Sequence, residues 1–280
     1  MLIHKHGLAS GAQSLDRALG ILRLVGAGSS AGLRLVDLVE ASGLSKPTVH
    51  RMLKALERSG FVQQSPATQR YHLGPESLVM GMLANERFGI HRTAAGALAR
   101  IANVSHDVAF LSVRRDVHAV CLDRLEGDYP IRTHALQVGT RHPLGVGAGS
   151  LALLAALPEA EVADVLEKNS SEIAESYPNY TVDLIGREAA KARADGFAFN
   201  PGRVLPGSWG IGVAVVAKNG HCFGALSIAA VEARLGPERR AELVPLLQAE
   251  AVGLAQQLIN PNLNPAPKYD AKAKRGAIHD

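Results

Sequence analysis

The 280-residue chain holds two cysteines, one tryptophan and only 4% aromatic residues, and each scarcity narrows what it can be. Cys121 and Cys222 cannot staple a chain of this length, and no Cys-x-x-Cys pair exists for a zinc knuckle. Two unpaired thiols fit a reducing, cytoplasmic setting. No apolar run approaches the roughly 18 residues of a membrane span; residues 213–217 and 224–231 are interrupted by residues 218–222. The opening MLIHKHGLASGAQ has no apolar centre of the kind that marks a signal peptide. Gly-x-Ser-x-Gly and P-loop patterns are both missing. The eleven histidines nowhere reach metal-ligand spacing with a carboxylate, and acidic pairs fall on helix faces expected to be solvated. A secreted, membrane-spanning, zinc-dependent or serine-nucleophile protein is therefore disfavoured, and no cofactor or metal is expected.

A composition of 47% apolar and 20% charged residues supplies ample core, and domains usually hold roughly 100–200 residues, so two are expected. The net charge of +4 is unevenly spread. Residues 1–74 carry nine Lys/Arg against four acids, residues 75–260 carry 17 against 20, and residues 261–280 four against two. A small basic module ahead of a larger, mildly acidic one fits nucleic-acid binding joined to a second task.

Local patterns give the order of elements. Residues 1–13 read as a disordered leader. Ser14 then caps a helix whose apolar face is Leu15, Ala18, Leu19, Leu22 and Val25. A second helix with Leu35, Leu38 and Val39 inward stops at Ser42-Gly43. Ser45 is the natural N-cap of a third, with Pro47 in its first turn and Val49, Leu53 and Leu56 on one face. Residues 61–64 and 70–73 read as a hairpin. Three short helices, a tight second turn and a hairpin make the winged helix-turn-helix order. Opposite its apolar side the third helix shows Lys46, Thr48, His50, Arg51, Lys54 and Arg58, with no acid among them. Such donors suit the major groove of double-stranded DNA, whereas a merely solvated basic face would not coincide with this helix order.

From Pro75 a long helix is expected to about Asn103, bent near Phe88-Gly89. Strands follow at 108–113, 119–125 and 131–136, helices at 151–157, 159–168 and 183–195, strands at 211–217 and 222–231, and a last helix at 237–259. Residues 261–280, rich in Pro, Lys and Ala, read as a disordered tail. The fold class is α+β, with an antiparallel sheet in the second domain. Cys121 sits in an apolar strand and reads as core; Cys222 opens a strand with only His221 beside it to activate a thiol.

Over about residues 14–260 the chain resembles the IclR family of bacterial transcriptional regulators. The resemblance rests on Ser14-Leu15-Asp16-Arg17-Ala18-Leu19, on Gly43-Leu44-Ser45-Lys46-Pro47-Thr48-Val49-His50-Arg51-Met52-Leu53 and on Leu56-Glu57-Arg58-Ser59-Gly60-Phe61-Val62. Tyr71-His72-Leu73-Gly74, Arg141-His142-Pro143-Leu144, Ala152-Leu153-Leu154-Ala155 and Gly220-x-x-x-Gly224-Ala225-Leu226-Ser227 continue it. It implies a winged helix over 14–74, a linker helix over 75–91 and a GAF-like effector domain over 92–260. It also implies a homodimer or tetramer on palindromic operators. Ser45, Lys46, Thr48, His50, Arg51 and Lys54 are the implied DNA contacts, with Arg17 and Arg70 touching phosphates.

In relatives that bind small keto-acids, the resemblance implies a carboxylate held by backbone amides and a site finished by an Asp, a Cys and two Ser. Here the amides fall at Ala148 and Gly149, the Asp position at Asn200, the Cys position at Gly210 and the serines at Ser227 and Ala229. Gly145-Val146-Gly147-Ala148-Gly149-Ser150 before a helix still offers N–H groups to an anion. With a carboxylate, a thiol and one hydroxyl gone, the implied pocket is roomier and less polar. The implied effector is a small organic acid bulkier than one of two or three carbons, an aromatic acid for instance. The competing reading is a small-molecule or redox enzyme on a GAF-like domain whose N-terminal helices serve protein contacts only.

Overall fold

The computed structural model describes residues 12–28, 31–131, 133 and 136–260; the leader through residue 11 and the tail 261–280 lie outside them. The chain opens with α1 (Gln13–Ala27), α2 (Leu35–Ser42) and α3 (Lys46–Arg58), then the hairpin of β1 (Val62–Gln64) and β2 (Tyr71–Leu73). Ile21, Leu24, Leu38, Val49, Leu53, Val62 and Tyr71 pack into one buried cluster. α1 departs from expectation at its start. Ala12, not Ser14, holds the cap position; the Asp16 amide closes the turn on the Ala12 carbonyl at 3.0 Å, and Ser14 lies exposed inside the helix. Gly43 ends α2 at φ 65°, a conformation in which a side chain is strained. Ser45 does precede α3, but its hydroxyl pairs with Thr48 Oγ1 at 2.8 Å and leaves the helix amides uncapped.

α4 (Pro75–Phe88) and α5 (Ile90–Ser105) are separated by Gly89 at φ 41°, where the bend was expected. α5 buries Ala94, Leu98 and Ile101, whereas α4 leaves Leu78, Met82 and Leu83 exposed. Next come β3 (Val108–Arg115), β4 (His118–Leu125), β5 (Arg141–Pro143), α6 (Ala148–Ala155), α7 (Glu159–Ser176) and α8 (Val182–Asp195). β6 (Ala198–Pro201), β7 (Ser208–Val216), β8 (Cys222–Val231) and α9 (Pro237–Ile259) complete the chain. The strands form one antiparallel sheet in the order β5-β4-β3-β8-β7-β6.

Two predicted elements are corrected, and one strand lies where none was predicted. Residues 131, 133 and 136 lie in no strand, and the strand next to β4 is β5, starting ten residues later, where Arg141–Pro143 bonds the free edge of β4. Pro130 and the Gly139 turn at φ 86° break the alternation that suggested otherwise. α7 runs on to Ser176 instead of ending at 168, because Asn169, which reads as a breaker, is buried and donates to the Val117 carbonyl at 2.7 Å. β6 went unread: four residues ending in proline carry no detectable period.

The sheet alternates by size. Ala109, Leu111, Val113, Ile211, Val213, Leu226 and Ile228 face α5 and α9 in a large apolar cluster. The intervening positions Ser112, Gly210, Gly212, Ala225, Ser227 and Ala229 are small and turn to the α6 side. There α6 lies almost on the backbone of β7. A methyl placed on Gly212 would sit 2.7 Å from the Ala148 carbonyl oxygen and 3.0 Å from the Gly149 nitrogen. Gly212→Ala should therefore push the start of α6 off the sheet and lower stability by about 1–3 kcal/mol. A urea melt of the full chain checks this, and an unchanged midpoint would contradict the close approach.

Candidate functional site

On α3, Val49, Met52 and Leu53 are buried, while Lys46, His50, Arg51, Lys54 and Arg58 are exposed and Thr48 is half-buried. The helix thus presents its cations on one outward side, carried on a packed core. The face is not wholly without acid. Glu57 lies three residues beyond Lys54 and bonds its ammonium at 2.8 Å, which also holds the Glu57 carboxyl below the usual carboxylate range. Lys46, Arg51 and Arg58 form no ion pair among the described residues, so on this face Lys54 is the cation drawn to an acid. Arg17 is half-buried on α1. Arg70 donates through Nη1 to the Gly32 carbonyl at 2.8 Å, so part of its guanidinium ties the hairpin to the loop before α2.

The six positions expected to hold an effector lie on four elements, and the fold gathers all of them. Ala148, Gly149, Asn200, Gly210, Ser227 and Ala229 line a single cavity of about 50 Å3 on the α6 side of the sheet. Phe110, Ser112, Cys121, Leu136, His142, Ser208 and Trp209 add to its walls. Among the described residues, no Asp, Glu, Lys or Arg lines it. At its base α6 begins after Gly147, and the first amide bonded within the helix is that of Leu151, to the Gly147 carbonyl at 2.8 Å. The amides of Ala148, Gly149 and Ser150 have no carbonyl one turn earlier, and they form the positive end of the helix dipole. Beside them, a Cβ on Gly149 would lie 3.0 Å from Ser227 Oγ and 3.5 Å from Ser112 Oγ, so two hydroxyls flank this residue. Ser150 Oγ serves the loop instead, donating to the Pro143 carbonyl and accepting from the Gly145 amide at 3.0 and 3.1 Å.

Asn200 has a defined polarity. Its Oδ1 accepts from Tyr180 Oη at 3.2 Å and from the Arg203 amide at 3.1 Å. Tyr180 in turn accepts from the Gly147 amide at 3.1 Å, and burial pushes its hydroxyl pKa up to about 12, which keeps it a donor. With the oxygen doubly engaged, Asn200 has only its NH2 left to offer. An Asp at this position would present an acceptor to a ligand; this chain presents a donor.

The thiols are inert. Burial pushes Cys121 up to about 12 and raises Cys222 as well, so neither carries a thiolate at neutral pH. Among the described residues, no group of three or more His, Cys, Asp or Glu is placed to hold a metal ion. No helix there is long and apolar enough to cross a membrane.

Comparison with known proteins decides the family. The IclR helix-turn-helix domain matches residues 14–66, and the bacterial transcriptional regulator IclR C-terminal domain matches residues 82–255. The chain belongs to the IclR family. XynR, an HTH-type transcriptional regulator of Escherichia coli (strain K12), is 27% identical over 252 residues, 88% of this chain and 97% of XynR. An IclR transcriptional regulator from Alicyclobacillus acidocaldarius shares the fold with a TM-score of 0.73 at 24% identity, over 87% of this chain and 98% of that one. An IclR homolog from Microbacterium hydrocarbonoxydans, solved in complex with 4-hydroxybenzoate, does so with a TM-score of 0.70 at 20% identity, over 88% and 99%. As a member of the IclR family the chain is a DNA-binding transcriptional regulator. The enzyme reading is set aside, since the matched relatives are regulators.

Motif matching to the IclR family reached the six cavity positions but missed Ser112, Ser208 and Trp209, which no motif covers. Parity offered a signal for the first of these: Ser112 is a lone hydroxyl inside the apolar run 108–113. His142 stood in a matched motif without being assigned a role. Burial holds its imidazole down to about 4, opposed by the Glu172 carboxylate and reinforced by His118. Unfolded histidine titrates near 6.5, so as pH falls the unfolded chain takes up this proton first and stability drops between about pH 6.5 and 4. That drop should be on the order of 2–3 kcal/mol. His142→Gln should flatten the slope over this interval. Urea melts of both proteins across the interval measure it, and equal slopes would show that His142 does not titrate this way.

Proposed function

We propose that this regulator reads its operator through Lys46, Thr48, His50 and Arg51 on α3, with Ser45 and Lys54 at the margins of that face. Arg17 and Arg70 are phosphate contacts in this reading, Arg70 through the part of its guanidinium not bonded to Gly32. A small organic acid bound in the cavity beneath α6 controls operator affinity. The observation that carries the reading is the convergence of Ala148, Gly149, Asn200, Gly210, Ser227 and Ala229 on one cavity at a helix N-terminus, lined by no charged side chain among the described residues. The carboxylate sits on the free amides of α6 between the Ser112 and Ser227 hydroxyls, and the Asn200 NH2 donates to the ligand's far end.

Size enters this reading directly. A cavity of about 150 Å3 holds benzene in a protein core, roughly three times the present volume. A ring of the kind bound by the Microbacterium relative therefore enters only when wall side chains such as Leu136, which is half-buried, turn outward. The exposed apolar side chains of α4, among them Leu78, Met82 and Leu83, pair with a second copy of the chain, giving a homodimer suited to a palindromic operator. The winged helix spans 14–74, the linker 75–91 and the effector domain 92–260.

Band shifts on DNA flanking the gene test the first half. Arg51→Ala and Lys46→Ala should each weaken operator binding by about 1–3 kcal/mol where a base contact is lost, with the fold intact. Two folded variants with unaltered affinity would rule out α3 as the reading helix. For the second half, Asn200→Leu and Ser227→Val should lower the affinity of any acid that shifts operator binding. Calorimetry that finds no change in either variant would move the effector elsewhere.

A further inference from the structure

Among the described residues, His142 is the one side chain in the cavity wall that holds an unused polar atom out of water. Its Nε2 is buried and has no hydrogen-bond partner among the described residues. Buried polar atoms in that condition are uncommon, and each one costs stability unless something else satisfies it. The ring cannot turn away to find a partner. Nδ1 lies 3.0 Å from Tyr177 Oη, and the two rings meet edge-on at 64° with centroids 6.0 Å apart.

The strand register gives the direction. On β5 His142 pairs with Ala119 of β4, and Ala119 and Cys121 both line the cavity, so the imidazole stands on the same face as these two. Tyr177, which holds Nδ1, is not a wall residue. The other ring nitrogen, Nε2, is not held by Tyr177 and belongs to a ring that lines the cavity. Neighbouring groups do not answer it: the Cys121 thiol donates to the Asp123 carbonyl at 3.5 Å. β5 and β6 are the two outer strands of the sheet, so His142 and Asn200 close the same cavity from opposite edges.

We propose that His142 is a specificity-determining residue: held by Tyr177, its Nε2 hydrogen-bonds an uncharged oxygen of the effector, selecting acids that carry a hydroxyl or keto group over the matching acids that lack it. This rests on the cavity being the effector site. A neutral imidazole donates or accepts but brings no positive charge, so it leaves the carboxylate to the α6 amides and answers a second, neutral oxygen. An acid without that oxygen fills the cavity and leaves Nε2 still unpaired, the situation in which binding sites discriminate most strongly. Tyr177 is a positioning residue, acting only through the ring it orients.

The test uses the full-length protein and matched acids: benzoate against 4-hydroxybenzoate, and propionate against lactate and pyruvate. Calorimetry with each should show an oxygen-bearing member binding about tenfold or more tightly than its partner. In His142→Leu the ratio should collapse toward one, through loss of the oxygen-bearing ligand with the plain acid held or improved. Tyr177→Phe should reduce the ratio several-fold, and His142→Gln, which keeps a donor, should retain part of it. A merely structural role would weaken both members of a pair alike. Should His142→Leu fail to fold, His142→Gln and Tyr177→Phe still decide through the ratio. A folded His142→Leu that preserves the ratio overturns the proposal, as does wild-type protein that binds both members of every pair equally; in either case the acid-binding cavity stands. If no acid of either kind binds, the cavity reading falls and takes this proposal with it.

Discussion

The second half of the molecule depends on how closely the start of α6 lies against β7. That approach is possible because Gly210 and Gly212 turn toward the helix where their neighbours Ile211 and Val213 turn toward α5 and α9. Without a Cβ at 212, the Ala148 carbonyl and the Gly149 amide rest directly on the strand. Two consequences follow from one contact. The free amides of α6 are carried into the interior, away from bulk water, where a partial positive charge acts at low dielectric. The small residues that permit the contact also leave the space that becomes the cavity. Packing and cavity are thus a single arrangement, and bulk added to the floor costs both.

The chemistry of the cavity is almost wholly one of neutral groups. Amides, hydroxyls, a carboxamide and an uncharged imidazole surround it, and among the described residues no side chain in the wall carries a charge at neutral pH. Neutral dipoles fixed by the backbone hold an anion without the desolvation penalty of a buried cation. The Gly147–Tyr180–Asn200–Arg203 chain of hydrogen bonds sets one of these dipoles, since each link fixes the donor sense of the next. A carboxamide locked this way discriminates by direction as well as by presence. The same site therefore differs from a relative carrying Asp there in the sign of the hydrogen bond it offers, as well as in the space it leaves.

The N-terminal part is organised by different physics. Its core of Ile21, Leu38, Val49, Leu53 and Tyr71 is small, and the functional face needs only to be rigid and cationic. Arg70 shows how the two demands meet, with one nitrogen holding the hairpin to the loop before α2. Glu57 shows the opposite, an acid that draws Lys54 back along the helix. The uncommitted cations of α3 are thereby Lys46 and Arg51 at its front and Arg58 at its end.

The local features were legible in the sequence because they are set by neighbours in the chain. The three helices and hairpin, the break at Gly89, the end of α8 at Gly196 and the full extent of α9 all follow from apolar spacing and from glycine or proline at the boundaries. Family motifs reached further and placed six residues of the cavity. What the sequence could not determine is set by partners distant along the chain. β5 is a strand because β4 has a free edge there, and β6 because β7 does. α7 continues through Asn169 because Val117, 52 residues earlier, accepts its amide hydrogen. The donor sense of Asn200 and the unpartnered nitrogen of His142 likewise exist only once Tyr180, Arg203 and Tyr177 arrive beside them. Residue types specify which hydrogen bonds a side chain is able to make; only the packed structure decides which of them are already taken.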